Sequence, residues 1–111
     1  MKRVVITGIG IVSCLGNNQE EVYKSLINSK SGITFCEEYK EFNLRSHIHG
    51  IPNIKLEDHV DRKVIRFMGP GSAYNYIAMK EAVKDSGLEE KDVSNFTTGM
   101  IWDQEVLQLK M

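Results

Sequence analysis

Arg3-Val4-Val5-Ile6-Thr7 forms a β-branched run near the start of the chain, and Gly8 closes it. A short apolar run of this kind, without alternating polar residues, is typical of a strand buried on both faces in a largely parallel sheet. We therefore expect residues 3–7 to form an inner strand that later elements cover.

The first helix is predicted directly after the glycine-rich loop that follows this strand. Asn18 can cap its N-terminus, and Glu21 stands three residues later, as in a capping box. An apolar stripe then continues to a predicted end near Asn28.

Two further helices are predicted in the second half of the chain. The clearer one runs over residues 72–85, with Gly87 as its stop signal. A shorter helical stretch is expected over 61–68, where the Gly-Pro-Gly sequence of 69–71 interrupts it. Residues 88–95 are expected to form an acidic connector.

The remaining segments predict short extended pieces. Residues 33–35 and 46–50 have strand-like composition, 37–43 is expected to be irregular, and 98–101 is a candidate for another strand. Strands alternating with helices predict an α/β architecture.

Composition excludes several classes of function. The 111 residues are 41% hydrophobic and 26% charged, as in a soluble globular domain, and the net charge of -1 provides no field that would attract nucleic acid or a membrane surface. Lys2 and Arg3 before an apolar run leave an export signal as an alternative, but glycines interrupt that run. With only two cysteines, we expect a cytoplasmic protein.

A glycine pair after the predicted strand leaves nucleotide binding open. Gly8-Ile9-Gly10 resembles the start of a dinucleotide fingerprint, but Ser13 occupies the position of the third glycine. A purely structural turn is favoured, and a small dinucleotide-binding oxidoreductase remains an alternative. No cofactor is expected.

The cysteines and histidines do not form a recognisable reactive or metal-binding pattern. Cys14 lies in a glycine loop, and Cys36 stands beside acidic residues that would suppress its thiolate. His47 and His49 would share one face of a strand, whereas His59 is too remote in sequence to complete an evident metal site. No catalytic or metal role is predicted for these five residues.

Arg62, Lys63 and Arg66 are the strongest candidate for a binding site. On a helix, Arg62 and Arg66 share a face, with Lys63 beside them, and Asp61 compensates only part of their charge. Such a cluster in a nearly neutral chain suggests docking of an anionic partner, and composition alone leaves an ordinary solvated face as an equal alternative.

Several separated motifs resemble one family, the β-ketoacyl-[acyl carrier protein] synthases of bacterial fatty-acid synthesis. Residues 1–13 resemble the opening of these enzymes, and 16–18 and 31–33 resemble motifs that follow there. Arg45-Ser46-His47 and the segment 61–68 resemble the type I branch in particular.

This resemblance implies a thiolase-like fold of two similar α/β halves and a homodimeric enzyme. It implies decarboxylative condensation of an acyl thioester with malonyl-carrier through one cysteine and two histidines, all beyond this chain, so no catalytic residue is expected here. It also implies that Arg62, Lys63 and Arg66 contact the acyl carrier protein.

We therefore expect residues 1–101 to form the N-terminal part of a ketoacyl synthase domain and 102–111 a divergent tail. The family's activity is that of an acyltransferase, and the chain by itself is expected to be inactive. As an alternative it binds the carrier protein or competes for dimer contacts without catalysing a reaction. Uncovered apolar faces would make it marginally stable and prone to associate.

Overall fold

The computed structural model describes residues 2–101 and shows a mixed arrangement of helices and strands. The predicted tail, 102–111, lies outside the described residues. In chain order the elements are α1 (Gln19–Ile27), β1 (Ile33–Phe35), α2 (Glu37–Glu41), β2 (Ile48–Gly50), a 3₁₀ turn (Leu56–Asp58), α3 (Arg62–Ile65), α4 (Pro70–Ser86) and α5 (Glu90–Val93).

The capped first helix is confirmed. The Asn18 side chain accepts a hydrogen bond from the Glu21 backbone N–H at 3.0 Å, which satisfies one of the free donors at the start of α1. Val22 and Ser25 are the buried residues of this helix, and the Ser25 hydroxyl donates to the Leu15 carbonyl at 2.7 Å. The loop before α1 is thereby fixed to the inner face of the helix.

The predicted inner strand at residues 3–7 is wrong for the described part of the chain. Residues 2–12 form no assigned strand, and the side chains of Val4 and Ile6 are 94% and 85% exposed. β-branched residues favour strands because they pack well against neighbouring strands. Within residues 2–101, no strand lies beside residues 3–7 to pair with them. The candidate strand at 98–101 is likewise not formed.

The two observed strands pair with each other. β1 and β2 run antiparallel, with Ile33 opposite Gly50 and Phe35 opposite Ile48. This is the one sheet within residues 2–101, so a largely parallel sheet is not seen there.

Helix α4 begins earlier than its sequence pattern predicts. A break between the two helices is confirmed, but it lies at 66–69 and not at 69–71. Gly69 is the N-cap and Pro70 is the first helical residue, where proline's missing N–H costs no hydrogen bond. The predicted end is confirmed, since Gly87 adopts a left-handed conformation with φ of 69°. Ala73 and Ile77 are the buried residues of α4.

Three other segments also differ from expectation. Residues 37–43, predicted to be irregular, contain α2, whose first turn carries two acidic residues that suit a helix N-terminus. Helix α3 is shorter than the predicted 61–68. The acidic connector contains α5, which begins with a capping box formed by Glu89 and Asp92.

The hydrophobic core is thin. Its buried apolar residues are Val22, Cys36, Val60, Ala73 and Ile77. The chain exposes 10166 Å², whereas a compact monomer of 12.6 kDa exposes about 6200 Å². Within 2–101, none of the helices combines the length and the apolar character needed to cross a lipid bilayer.

Candidate functional site

Arg62, Lys63 and Arg66 form an exposed group at the short helix α3, called the basic cluster below. Asp61 starts the helix, because its carboxylate accepts a hydrogen bond from the Lys63 backbone N–H at 2.7 Å. Arg66 follows the last helical residue as the C-cap. One turn of chain therefore displays all three predicted cations together.

The charges of the basic cluster are not neutralised by neighbouring carboxylates. The ion pairs found in residues 2–101 join Lys24 to Glu20 and Lys91 to Glu89, each at 2.6 Å and on exposed surface. No cation of the cluster lies within 4.0 Å of a carboxylate oxygen in that range. Its positive charge remains available to a partner.

An open groove of about 480 Å³ adjoins the basic cluster. It is lined by Lys55, Glu57, Asp58, Arg62, Ile65 and Arg66. The carboxylates of Glu57 and Asp58 line this groove, whereas Lys63 does not. An anionic partner would therefore meet less repulsion on the face that carries Lys63.

Apolar side chains are exposed next to these cations. Phe67 is 91% exposed and Val64 is 45% exposed. A surface that combines unpaired cations with an exposed aromatic ring can bind a protein that presents both carboxylates and apolar side chains.

The glycine pair that left nucleotide binding open has a structural role. A Cβ atom added to Gly10 would lie 1.8 Å from the Ala78 carbonyl oxygen, and one added to Gly8 would lie 2.2 Å from that of Ala82. Only glycine allows the segment 8–10 to run this close to the backbone of α4.

Two carboxylates of α4 hold the same segment, an arrangement called the clasp below. Asp85 accepts the Ile9 backbone N–H at 3.0 Å, and Glu81 accepts the Ile11 N–H at 2.8 Å. The second Glu81 oxygen accepts the backbone N–H of Gln19 at 2.9 Å, and the Gln19 side chain donates to the Ile9 carbonyl.

The clasp also bears on the dinucleotide alternative. A fingerprint of that type requires a helix N-terminus that is open to a pyrophosphate. Here the carboxylate of Glu81 binds the first N–H of α1. The structure therefore offers no support for nucleotide binding at Gly8 and Gly10.

The clasp changes the acidity of Asp85. The hydrogen bond from the Ile9 backbone, and then that from the Gln19 side chain, hold the pKa of the Asp85 carboxyl below its ordinary value of 3.8, because both favour the charged form. Asp85 is exposed and stays ionised at neutral pH.

Cys14 lies in a tight turn, and Cys36 is buried. Cys14 lies in the tight turn that joins Ser13 to Gly16, and a Cβ atom added to Gly32 would lie 2.2 Å from the Cys14 carbonyl oxygen. Cys36 is buried at the N-cap of α2. The Cys36 backbone N–H donates to the His47 carbonyl at 2.7 Å, but neither thiol makes a hydrogen bond to a basic side chain within residues 2–101.

The histidines pack against aromatic rings. The ring of His47 lies edge-on to Phe35 at 6.0 Å between centroids, and that of His49 lies edge-on to Tyr39 at 5.6 Å. His59 lies by the N-terminus of α1, in an open cavity of about 470 Å³ that Asn18 and Ile77 also line. In the described portion, no three side chains of His, Cys, Asp or Glu are grouped to hold a metal ion.

Comparison with known proteins identifies the family. The family model for the beta-ketoacyl synthase N-terminal domain matches residues 1–103. The chain belongs to this family. The segment carrying the basic cluster, the glycine pair and the clasp all lie inside the matched range of this ketoacyl synthase chain.

The curated relatives are considerably longer proteins. The chain is 52% identical over 101 residues to the 3-oxoacyl-[acyl-carrier-protein] synthase 1 of Haemophilus influenzae, covering 91% of the chain and 25% of the relative. It is 50% identical over 97 residues to the enzyme of the same name from Escherichia coli strain K12, covering 86% and 23%. A synthase 2 of Staphylococcus aureus is 35% identical over 92 residues, covering 82% and 22%. The chain thus spans about a quarter of the length of these relatives.

Sequence reasoning missed the clasp in this ketoacyl synthase chain. Glu81 and Asp85 stand four residues apart and so share one face of α4, a spacing visible in the sequence. Their partners are backbone N–H groups about 70 residues away. Residue types do not reveal such partners, so the spacing alone indicates only an ordinary acidic helix face.

Proposed function

We propose that this chain supplies the N-terminal part of a 3-oxoacyl-[acyl carrier protein] synthase, the acyltransferase that elongates fatty acids by decarboxylative condensation. Family membership and about 50% identity to relatives with that name support the proposal. In the whole enzyme we expect the thiolase-like fold and the homodimer that the resemblance implies.

The chain's own part in this function is to bind the acyl carrier protein through Arg62, Lys63 and Arg66. The observation that carries this proposal is the display of three exposed cations, unpaired within residues 2–101, by one short helix. An acidic partner would relieve their mutual repulsion, so each cation gains from the complex. Phe67 beside them offers an apolar contact.

Charge reversal tests carrier binding. The double variant R62E/R66E should lower the affinity of the chain for purified acyl carrier protein at least tenfold, measured by fluorescence anisotropy at low salt. The double variant K30E/K40E is the matched control, because it changes the net charge equally at exposed lysines away from α3. Unchanged affinity of R62E/R66E would refute the proposed site.

Condensation itself is a separate test. We propose that the chain alone does not condense malonyl-carrier with an acyl thioester, because neither cysteine is hydrogen-bonded to an activating base within residues 2–101. The purified chain should show no turnover beside a full-length synthase as positive control. Turnover above background would mean that an unrecognised residue acts as the nucleophile.

A further inference from the structure

The groove that adjoins the basic cluster carries charges of both signs. Three of its lining residues are the cations Lys55, Arg62 and Arg66. The other two charged residues are Glu57 and Asp58, called the acidic pair below. These carboxylates oppose the attraction that the neighbouring cations exert on an acidic partner.

The backbone holds the acidic pair in a turn beside α3. Both residues belong to the 3₁₀ turn Leu56–Asp58, and the Asp58 N–H donates to the Lys55 carbonyl at 3.2 Å. The N–H of the buried Val60 donates to the Leu56 carbonyl at 3.0 Å, and the turn contacts α3. These hydrogen bonds keep the two carboxylates next to the basic cluster.

The charge of the groove gives a reason for its exposure that does not depend on the length of the chain. None of its five charged side chains forms an ion pair with another residue of 2–101. Charged side chains are almost never buried without a partner, because the loss of their hydration is strongly unfavourable. We therefore expect this groove to face solvent or a charged partner, whatever covers the apolar faces.

Charges of both signs restrict how an acidic partner can dock. Arg62 and Arg66 attract its carboxylates, whereas the acidic pair repels them from the groove. Lys63 does not line the groove, so the attraction on its side of α3 is not opposed in this way. Repulsion of wrong arrangements is a common source of specificity at charged interfaces.

We infer that Glu57 and Asp58 are specificity-determining residues of the carrier surface. They repel the acidic carrier protein from the groove and direct it to the side of α3 that carries Lys63. The inference rests on the proposed function, because its partner is the acyl carrier protein proposed above. It adds an orientation that the three cations of the basic cluster do not determine by themselves.

Removal of the two negative charges tests the repulsion. E57Q/D58N keeps the size of both side chains and should raise the affinity for purified acyl carrier protein about threefold or more, in fluorescence anisotropy at low salt. E38Q/E41Q, on α2 and outside the groove, is the matched control and should change the affinity less than about twofold. Because a gain of affinity is expected, loss of folding cannot mimic the result. No gain, or an equal gain in both variants, would overturn the inference.

A double-mutant cycle tests the orientation. Lys55 lines the groove, so a partner that is repelled from the groove gains little from this cation. Lys55→Gln should therefore lower the affinity of the parent less than about twofold, and that of E57Q/D58N about threefold or more. The same effect in both backgrounds would contradict the inferred orientation.

The variant R62E/R66E, measured in the same assay, separates this inference from the proposed function. Unchanged affinity of R62E/R66E would refute the carrier site and the inference with it. Weaker binding by R62E/R66E, together with no gain by E57Q/D58N, would leave the carrier site in place and overturn only the role of the acidic pair.

Discussion

Glu81 on α4 accepts the backbone N–H of Gln19, the first residue of α1, at 2.9 Å. Its other oxygen accepts the Ile11 N–H at 2.8 Å. One carboxylate thus joins the N-terminal segment, the first helix and the longest helix. Polar links of this kind therefore connect parts of the chain that are distant in sequence.

Loss of this carboxylate should destabilise the fold. Glu81→Ala removes the acceptor of two charge-assisted hydrogen bonds, so the free energy of unfolding should fall by about 1–3 kcal/mol. Urea unfolding followed by circular dichroism measures the change. Glu41→Ala, at an exposed end of α2, is the control and should stay within about 0.5 kcal/mol of the parent. Equal effects of both variants would contradict the role of Glu81.

The stabilisation by Asp85 should depend on pH. Its pKa is lowered in the folded state, so its contribution is present above the ordinary value of 3.8 and is lost as the pH falls through the lower folded value. The stability difference between the parent and Asp85→Asn should be constant near neutral pH and shrink on acidification. Urea midpoints at several pH values test this. A difference that grows towards low pH would show the opposite sign.

Substitution of Gly10 should separate the N-terminal segment from α4. The added methyl group of Gly10→Ala would collide with the Ala78 backbone, with an expected cost of about 1–3 kcal/mol. Amide hydrogen exchange at Ile9 and Ile11 should become faster if the clasp opens. Gly99→Ala is the control, because nothing lies within 4 Å of its added Cβ. Unchanged exchange at both amides would argue against the close approach.

The N-cap of α1 offers a graded test. Asn18→Ala should reduce stability by about 1 kcal/mol, because the Glu21 N–H loses its acceptor. Asn18→Ser keeps a capping oxygen and should recover most of the loss, as thermal unfolding would show. If serine were no better than alanine, the side-chain hydrogen bond would not be the cause.

The chain as a whole should be marginally stable. Its few buried apolar side chains and its surface of 10166 Å² predict a free energy of unfolding below about 5 kcal/mol. Differential scanning calorimetry with light scattering should show a broad transition and association on heating. A sharp, reversible transition of a monomer would contradict this expectation.

Local signals in the sequence predicted the start of α1 and the end of α4. Asn18 before an apolar stripe and Gly87 after one mark the ends of α1 and α4, because capping depends on residues close in sequence. The Gly-Pro-Gly segment misled the prediction, since proline both interrupts helices and starts them. Its position relative to the helix decides between these roles, and composition does not give that position.

Burial and long-range contacts were harder to predict. Val4 to Ile6 have the pattern of an inner strand, but burial depends on what lies beside them in space. Residue type and helical spacing located the three cations of the basic cluster, and their role in carrier binding stays a prediction. Gly8 and Gly10 are visible in the sequence as a pair. Their close approach to the backbone of α4 could not be predicted, because that helix lies about 70 residues later.

The distance in sequence between the parts of the clasp affects how the chain is made. During synthesis, residues 4–11 leave the ribosome well before Glu81 and Asp85 have been added. Contacts between such distant residues form late, so the backbone N–H groups of Ile9 and Ile11 lack their carboxylate partners in shorter nascent chains. The N-terminal segment should therefore stay detached from the rest of the chain until about 85 residues have been added.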